Sequence, residues 1–211
     1  MNTIAIVDYG MGNLRSVSKA VEHVDSGANV TVTSDPAIIR TASRVIVPGQ
    51  GAMPQCMRAL SDHKLREVVL DAAENKPFLG ICLGLQMLFE HSEEGNSDAL
   101  GIFSGVVKKF ISQSVNAGDQ KLKIPHMGWN QVHQDMAHPL WENIPIDARF
   151  YFVHSYYVVT REPDIVAAST NYPTSFTCAI AKNNIFAVQF HPEKSQLAGL
   201  QLLSNFLKWT P

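Results

Sequence analysis

The segment Pro77-Phe78-Leu79-Gly80-Ile81-Cys82-Leu83-Gly84-Leu85-Gln86 restricts the possible folds of this chain more than any other. An apolar strand runs into Gly-x-Cys-x-Gly and then into a helical pattern, the cysteine counterpart of a serine nucleophile elbow. A turn this sharp forces its central residue into strained backbone geometry, and flanking residues without side chains let strand and helix approach closely enough to permit it. Cys82 is thereby pushed into the open. At the start of a helix its sulfur is expected to feel the positive end of the macrodipole, which favours the thiolate that attacks carbonyl carbon. Taken alone, the segment suits a buried cysteine beside two packing glycines equally well, since free cysteine is among the most buried residue types.

The surrounding pattern alternates strand and helix. Thr3 to Val7 is a β-branched apolar run that ends at Gly10-Met11-Gly12-Asn13, and a helical period follows from Leu14 to Val24. Further strands are expected over Ala28–Thr33, Arg44–Val47 and Phe78–Ile81, with helices near Pro54–Leu60 and Leu65–Glu74. Alternation of this kind implies a parallel sheet covered by helices. After Gly101 strands come in quick succession, at Val106–Ile111, Phe150–Val159, Ile165–Ala168, Phe176–Ala181 and Ile185–Phe190, so an antiparallel extension is expected in the second half. Ser112 to Lys123 reads as a surface loop, and Ser195 to Trp209 as a closing amphipathic helix. The expectation is one three-layer α/β domain over residues 1–211, with a central, mostly parallel sheet.

Composition excludes several function classes. With 45% hydrophobic and 17% charged residues the chain is ordinary for a globular protein, and no apolar run approaches a membrane span. No secretory leader is read at the N-terminus, where Asp8 and Gly10 interrupt the apolar run, so a cytoplasmic location is expected. Cys56, Cys82 and Cys178 include no Cys-x-x-Cys pair, so neither a disulfide framework nor a zinc ribbon is suggested. The net charge is −2 and the basic residues are scattered, Lys108-Lys109 being too few to form an electrostatic footprint for nucleic acid. Gly10-x-Gly12 and Gly49-x-Gly51 lack the third small residue of a dinucleotide fingerprint, and no Gly-Lys-Ser/Thr is present, so no cofactor is expected.

A second segment gives the cysteine a partner. Ile185 to Phe190 delivers His191-Pro192-Glu193 at its end, where Pro192 stops the ladder. With His191 against Cys82, the imidazole can take the thiol proton and return it to a leaving nitrogen, while Glu193 fixes the tautomer. A lone histidine is more often structural, and His126, His133 and His138 are assigned to that class. Cys82 and His191 can both lie at carboxyl ends of parallel strands, where open α/β sheets build their sites. Pro48-Gly49-Gln50-Gly51 follows the third strand at the same edge, so a backbone N–H of Gly49 or Gly51, with that of Leu83, can serve an oxyanion. Without Cys82, Pro48 to Gly51 would read as an ordinary turn.

Gly80 to Gln86 together with His191-Pro192-Glu193 resembles the triad-type (class I) glutamine amidotransferases, whose fold is flavodoxin-like. Asp8-Tyr9-Gly10-Met11-Gly12-Asn13, Pro48-Gly49-Gln50-Gly51, Pro125-His126-Met127-Gly128-Trp129-Asn130 and Tyr151-Phe152-Val153-His154-Ser155-Tyr156-Tyr157 are similar to the branch that pairs with a (β/α)8-barrel cyclase subunit in histidine biosynthesis. Gln50 departs from that pattern, which more often has Val there. The resemblance implies attack by Cys82 on the glutamine side-chain amide, a thioester, and ammonia passed to the cyclase. It also implies that Gln86, Glu94, Ser155 and Tyr156 hold the amino-acid end of glutamine, and that Asn13, Trp129 and Lys194 face the cyclase. A cyclase that shifts the Gly49–Gly51 strand would alter the oxyanion donors and so the turnover. Other readings remain open: a glutaminase subunit for another synthase, against which Trp129 in Met-Gly-Trp-Asn argues, a stand-alone γ-glutamyl hydrolase, and an α/β binding protein.

Overall fold

The computed structural model describes residues 3–111 and 123–211, so the loop expected over Ser112 to Lys123 lies, but for Lys123, outside the described residues. The first half alternates as its periodicity requires: β1 (Thr3–Val7), α1 (Leu14–Val24), β2 (Asn29–Thr33), α2 (Pro36–Thr41), β3 (Arg44–Gly49), α3 (Met53–Asp62), α4 (Arg66–Asn75) and β4 (Phe78–Cys82). A one-turn helix α5 (Leu83–Gln86) follows, then β5 (His91–Ser92), β6 (Ser97–Asp98), β7 (Gly105–Lys109), β8 (His126–Gln131), β9 (His133–Gln134), β10 (Arg149–His154), β11 (Tyr156–Thr160), β12 (Val166–Asn171), β13 (Ser175–Lys182), β14 (Ile185–Val188) and α6 (Gln196–Lys208).

Strands run in the order β2-β1-β3-β4-β14-β13-β11-β7-β5-β6, with β12 and β9 branching from β13. From β2 to β14 every pairing is parallel; from β14 through β13 and β11 to β7 every pairing is antiparallel. The period-2 alternation of the strands divides the core. Ile4, Ile6, Ile46, Leu79 and Ile81 face α1 and α6, whereas Ala5, Val7, Val45, Val47 and Phe78 face α2, α3 and α4. Each large side chain buried this way, such as Phe206 of α6 or Phe78, contributes about 1.5–3 kcal/mol. Among the described residues no helix is long and apolar enough to cross a membrane.

Two expectations need correction, and two elements lie outside them. The apolar run Phe150–Val159 is two strands, β10 pairing with β8 in a separate two-stranded sheet and β11 in the main sheet. The chain turns between them at Ser155, where the His154 Nδ1–H donates to the Tyr156 carbonyl at 2.7 Å. The helix after Cys82 is a single turn. The carbonyls of Met87, Leu88 and Phe89 accept from the amides of Leu100, Ile102, Phe103 and Gly101, so returning backbone takes acceptors that a continuing helix would use. Its macrodipole is correspondingly small, and helix polarity gives the sulfur little of the field expected from the sequence. Finally, His126 to Gln131 is a strand that β-propensity does not mark, and α2, capped by Asp35 accepting from the Ala37 amide, was not anticipated.

Candidate active site

Three adjacent parallel strands set the site. In register, Gly49 of β3 stands beside Cys82 of β4, and Val188 of β14 beside Ile81. Their carboxyl ends therefore bring the Pro48–Gly51 turn, the cysteine and the residues after β14 to one edge of the sheet. A cleft of about 490 Å³ opens there, within the ~300–1,000 Å³ usual for small-molecule sites. It is lined by Gly49, Gly51, Cys82, Leu83, Gln86, Glu94, Ser155, Tyr156 and His191, together with Gln50, Pro125, Val153 and His154.

Cys82 sits on a left-handed backbone, φ +56° and ψ −107°, which is strained for any residue but glycine. The glycines around it work by proximity. A Cβ on Gly84 would stand 2.0 Å from the Val47 carbonyl oxygen, one on Gly80 2.7 Å from that of Gly84, and one on Gly49 2.6 Å from the Leu83 Cβ. The cysteine is not thrust into solvent, as the sequence suggested. It is 7% exposed, at the floor of the cleft.

His191 Nδ1 pairs with Glu193 Oε1 at 2.8 Å, both side chains almost fully buried. The other ring nitrogen, Nε2, is left for Cys82, which acts on the ring through its charge and then through a side-chain hydrogen bond. Burial alone disfavours the imidazolium, but the negative charge of Cys82 and then the Glu193 carboxylate outweigh it and hold His191 up at about 10. Ser195, which the sequence did not flag, fastens this turn. Its hydroxyl donates to the His191 carbonyl at 2.6 Å and accepts from the Tyr151 amide at 3.0 Å.

The Pro48–Gly51 turn is clamped from below. The Tyr9 hydroxyl donates to the Pro48 carbonyl at 2.7 Å, and the Cys56 thiol to that of Gln50 at 3.3 Å. Burial pushes Tyr9 well above its usual value and Cys56 up to about 12, so both stay protonated as donors. Because peptides are planar, fixing these two carbonyls also fixes the N–H groups of Gly49 and Gly51.

The residues expected to hold glutamine are all in the cleft, with part of their capacity already used. Gln86 is buried, and its Nε2 donates to the Tyr156 carbonyl at 3.0 Å and to Gln189 Oε1 at 2.9 Å. Only its Oε1 remains for a ligand, an acceptor suited to an ammonium group. One carboxylate oxygen of Glu94 accepts from the Met53 amide at the start of α3. Among the expected partner contacts, Trp129 packs edge-on against Tyr151, whose ring lies 5.9 Å from Lys194 Nζ. Asn13 lies apart from the cleft lining at the start of α1, accepting from the Ser16 hydroxyl. Of the histidines assigned to structure, His138 accepts from the Leu140 amide, His133 pairs with Asp147 at the surface, and His126 is buried against His154.

His126, His138, His154 and His191 set a pH window. Burial lowers His126 and His138 to about 4 and His154 to about 3, against 6.5 when unfolded. The unfolded chain thus binds more protons below pH 6.5, so their contribution is present above that value and is lost as pH falls toward 4 and 3. His191 has the opposite sign: its contribution is present below 6.5 and lost as pH rises through about 10. A plot of Tm against pH is expected to peak near 6.5 and decline on both sides. A flat Tm from pH 6.5 down to about 4.5 would contradict the neutral buried histidines.

A parallel sheet with a strained cysteine at the end of one strand and a histidine–carboxylate pair after its neighbour defines a class of α/β proteins built around a cysteine elbow. Residues 5–209 match the family model described as glutamine amidotransferase class-I. The imidazole glycerol phosphate synthase subunit HisH of Nitrosomonas europaea is 72% identical, with 100% of each chain covered, and that of Nitrosospira multiformis is 63% identical with the same coverage. Among solved structures, PurLQS from Thermotoga maritima superposes with a TM-score of 0.71 at 17% identity, covering 98% of this chain and 97% of that one, a likeness of fold. The chain belongs to the class I glutamine amidotransferase family and, within it, to the imidazole glycerol phosphate synthase subunit HisH family.

Proposed function

We propose that the chain hydrolyses glutamine to glutamate and ammonia through Cys82, His191 and Glu193, and hands the ammonia to a (β/α)8-barrel cyclase subunit. The observation that carries this reading is the strained Cys82 in a cleft with His191, itself paired to buried Glu193. The sulfur attacks the side-chain carbonyl of glutamine, and the oxyanion that forms is met by backbone N–H groups of Leu83 and the Gly49–Gly51 turn. The imidazolium of His191 gives its proton to the departing nitrogen, and ammonia leaves. His191, now neutral, takes a proton from water, which cleaves the thioester to glutamate. Glu193 holds the ring through Nδ1 during both transfers. The oxygens of Gln86 and Glu94 suit the ammonium of glutamine, with Ser155 and Tyr156 beside them.

In the cyclase, ammonia enters the ring-forming step that yields imidazole glycerol phosphate and an aminoimidazole carboxamide ribonucleotide. Trp129 and Lys194, with Asn13, are assigned to the docking face, where an exposed aromatic is a typical hot spot. The test is glutamate release by this chain alone and with the cyclase subunit plus its ribonucleotide substrate. Stimulation of about 100-fold or more, the worth of one oxyanion donor, is expected in the mixture. Equal turnover in both states would reduce the proposal to a stand-alone glutaminase.

A further inference from the structure

The Cys82 sulfur has a neighbour that the mechanism above leaves unused. Gln189 follows β14 directly, two residues before His191, and its side chain is fully buried. Its Nε2 lies 3.6 Å from Cys82 Sγ in donor geometry. The sulfur does not decide which way this amide points. Gln189 Oε1 accepts from Gln86 Nε2, whose second N–H goes to the Tyr156 carbonyl, so the Gln189 nitrogen is left to face the cysteine.

The Tyr156 carbonyl is itself held in place. It also accepts from His154 Nδ1 at 2.7 Å, which leaves His154 Nε2 as the acceptor of the His126 Nδ1–H at 2.9 Å. His126 Nε2 is in turn 3.3 Å from Asn130 Nδ2, next to Trp129 on β8. Burial keeps both rings neutral, at about 4 and 3, so each nitrogen has a single role and the chain of bonds has one direction.

We infer that Gln189 is a positioning residue for Cys82, supplying an N–H that steadies the sulfur as an anion, with Gln86 and the Asn130–His126–His154 chain holding its amide in that orientation. The inference rests on the glutaminase reading for its catalytic consequence, but not for the sulfur contact itself. Among the described residues, the other titratable groups coupled to the sulfur are His191, which is cationic, and Tyr9 and Cys56, which are neutral.

The experiment follows the rate of Cys82 alkylation by iodoacetamide against pH, with the adduct mapped by mass, in the wild type, Gln189→Glu and Gln189→Leu. Gln189→Glu keeps an oxygen for Gln86, and Gln189→Leu removes the donor without adding charge, so one stands if the other fails to fold. The alkylation midpoint is expected to rise by about one pH unit or more in each, with kcat for glutamine down roughly 10- to 100-fold. KM in Gln189→Glu is expected to stay within about twofold. A midpoint that does not move in the folded variants overturns the inference, even if Tm falls. If the wild type releases no glutamate even with the cyclase subunit and its ribonucleotide substrate present, the glutaminase reading fails while the alkylation midpoint still decides the role of Gln189.

Discussion

Replacing Cys82 with Ala is expected to lower glutamate release by about 10⁴- to 10⁶-fold, the loss seen when one member of a nucleophile–base unit is removed. Neither of the other two cysteines can substitute. Cys56 and Cys178 are buried, and burial raises both thiols, so they remain protonated and away from ligand. The same replacement carries a second signature. Without the sulfur's negative charge, burial opposes the His191 imidazolium with only Glu193 on the other side, and His191 should titrate below its value of about 10. Histidine NMR resonances follow this directly. A variant that keeps wild-type turnover, or whose His191 titration does not move, would contradict the charge pairing.

Gly199→Ala carries the second large effect, although it touches neither glutamine nor sulfur. Gly199 is buried in α6, and a Cβ there would stand 1.9 Å from the Pro192 carbonyl oxygen and 2.7 Å from its carbon. Both atoms are backbone, so no side chain can yield by rotating. Either α6 moves off the sheet or the His191-Pro192-Glu193 turn moves. Overpacking that forces backbone to shift costs about 1–3 kcal/mol, and displacing the imidazole by roughly 1 Å costs about 100-fold in kcat. Urea unfolding and steady-state kinetics on Gly199→Ala check both parts. Wild-type stability together with wild-type kcat would show that the turn is not held by this contact.

What was legible in the sequence follows the range of the forces involved. The β1–α1 unit and the parallel strands announce themselves through local period and β-branched runs, and the elbow through glycine spacing around Cys82. Features decided by distant chain were hidden. Nothing between Phe150 and Val159 marks Ser155 as a corner, because the apolar pattern runs on and the break comes from the His154 bond to the Tyr156 carbonyl. The single turn of α5 is set by amides of residues 100–103, beyond any local window. His126 to Gln131 has Gly128 at φ +134° and few β formers, so only its pairing with β10 makes it a strand. The proposed triad residues could be nominated because their chemistry is rare, but Gln189 and Ser195 could not. An ordinary glutamine and serine become informative only when the sheet sets them against Cys82 and His191.

The central claim is that one of three cysteines is the nucleophile for glutamine, and covalent labelling tests it most directly. The wild-type chain would be incubated with a diazo-ketone analogue of glutamine, with and without excess glutamine, and the adduct mapped by mass spectrometry. The account predicts a single adduct on Cys82, suppressed by glutamine and absent in His191→Ala, with Cys56 and Cys178 unmodified. Labelling of another cysteine, or labelling of Cys82 that glutamine does not suppress, would contradict it.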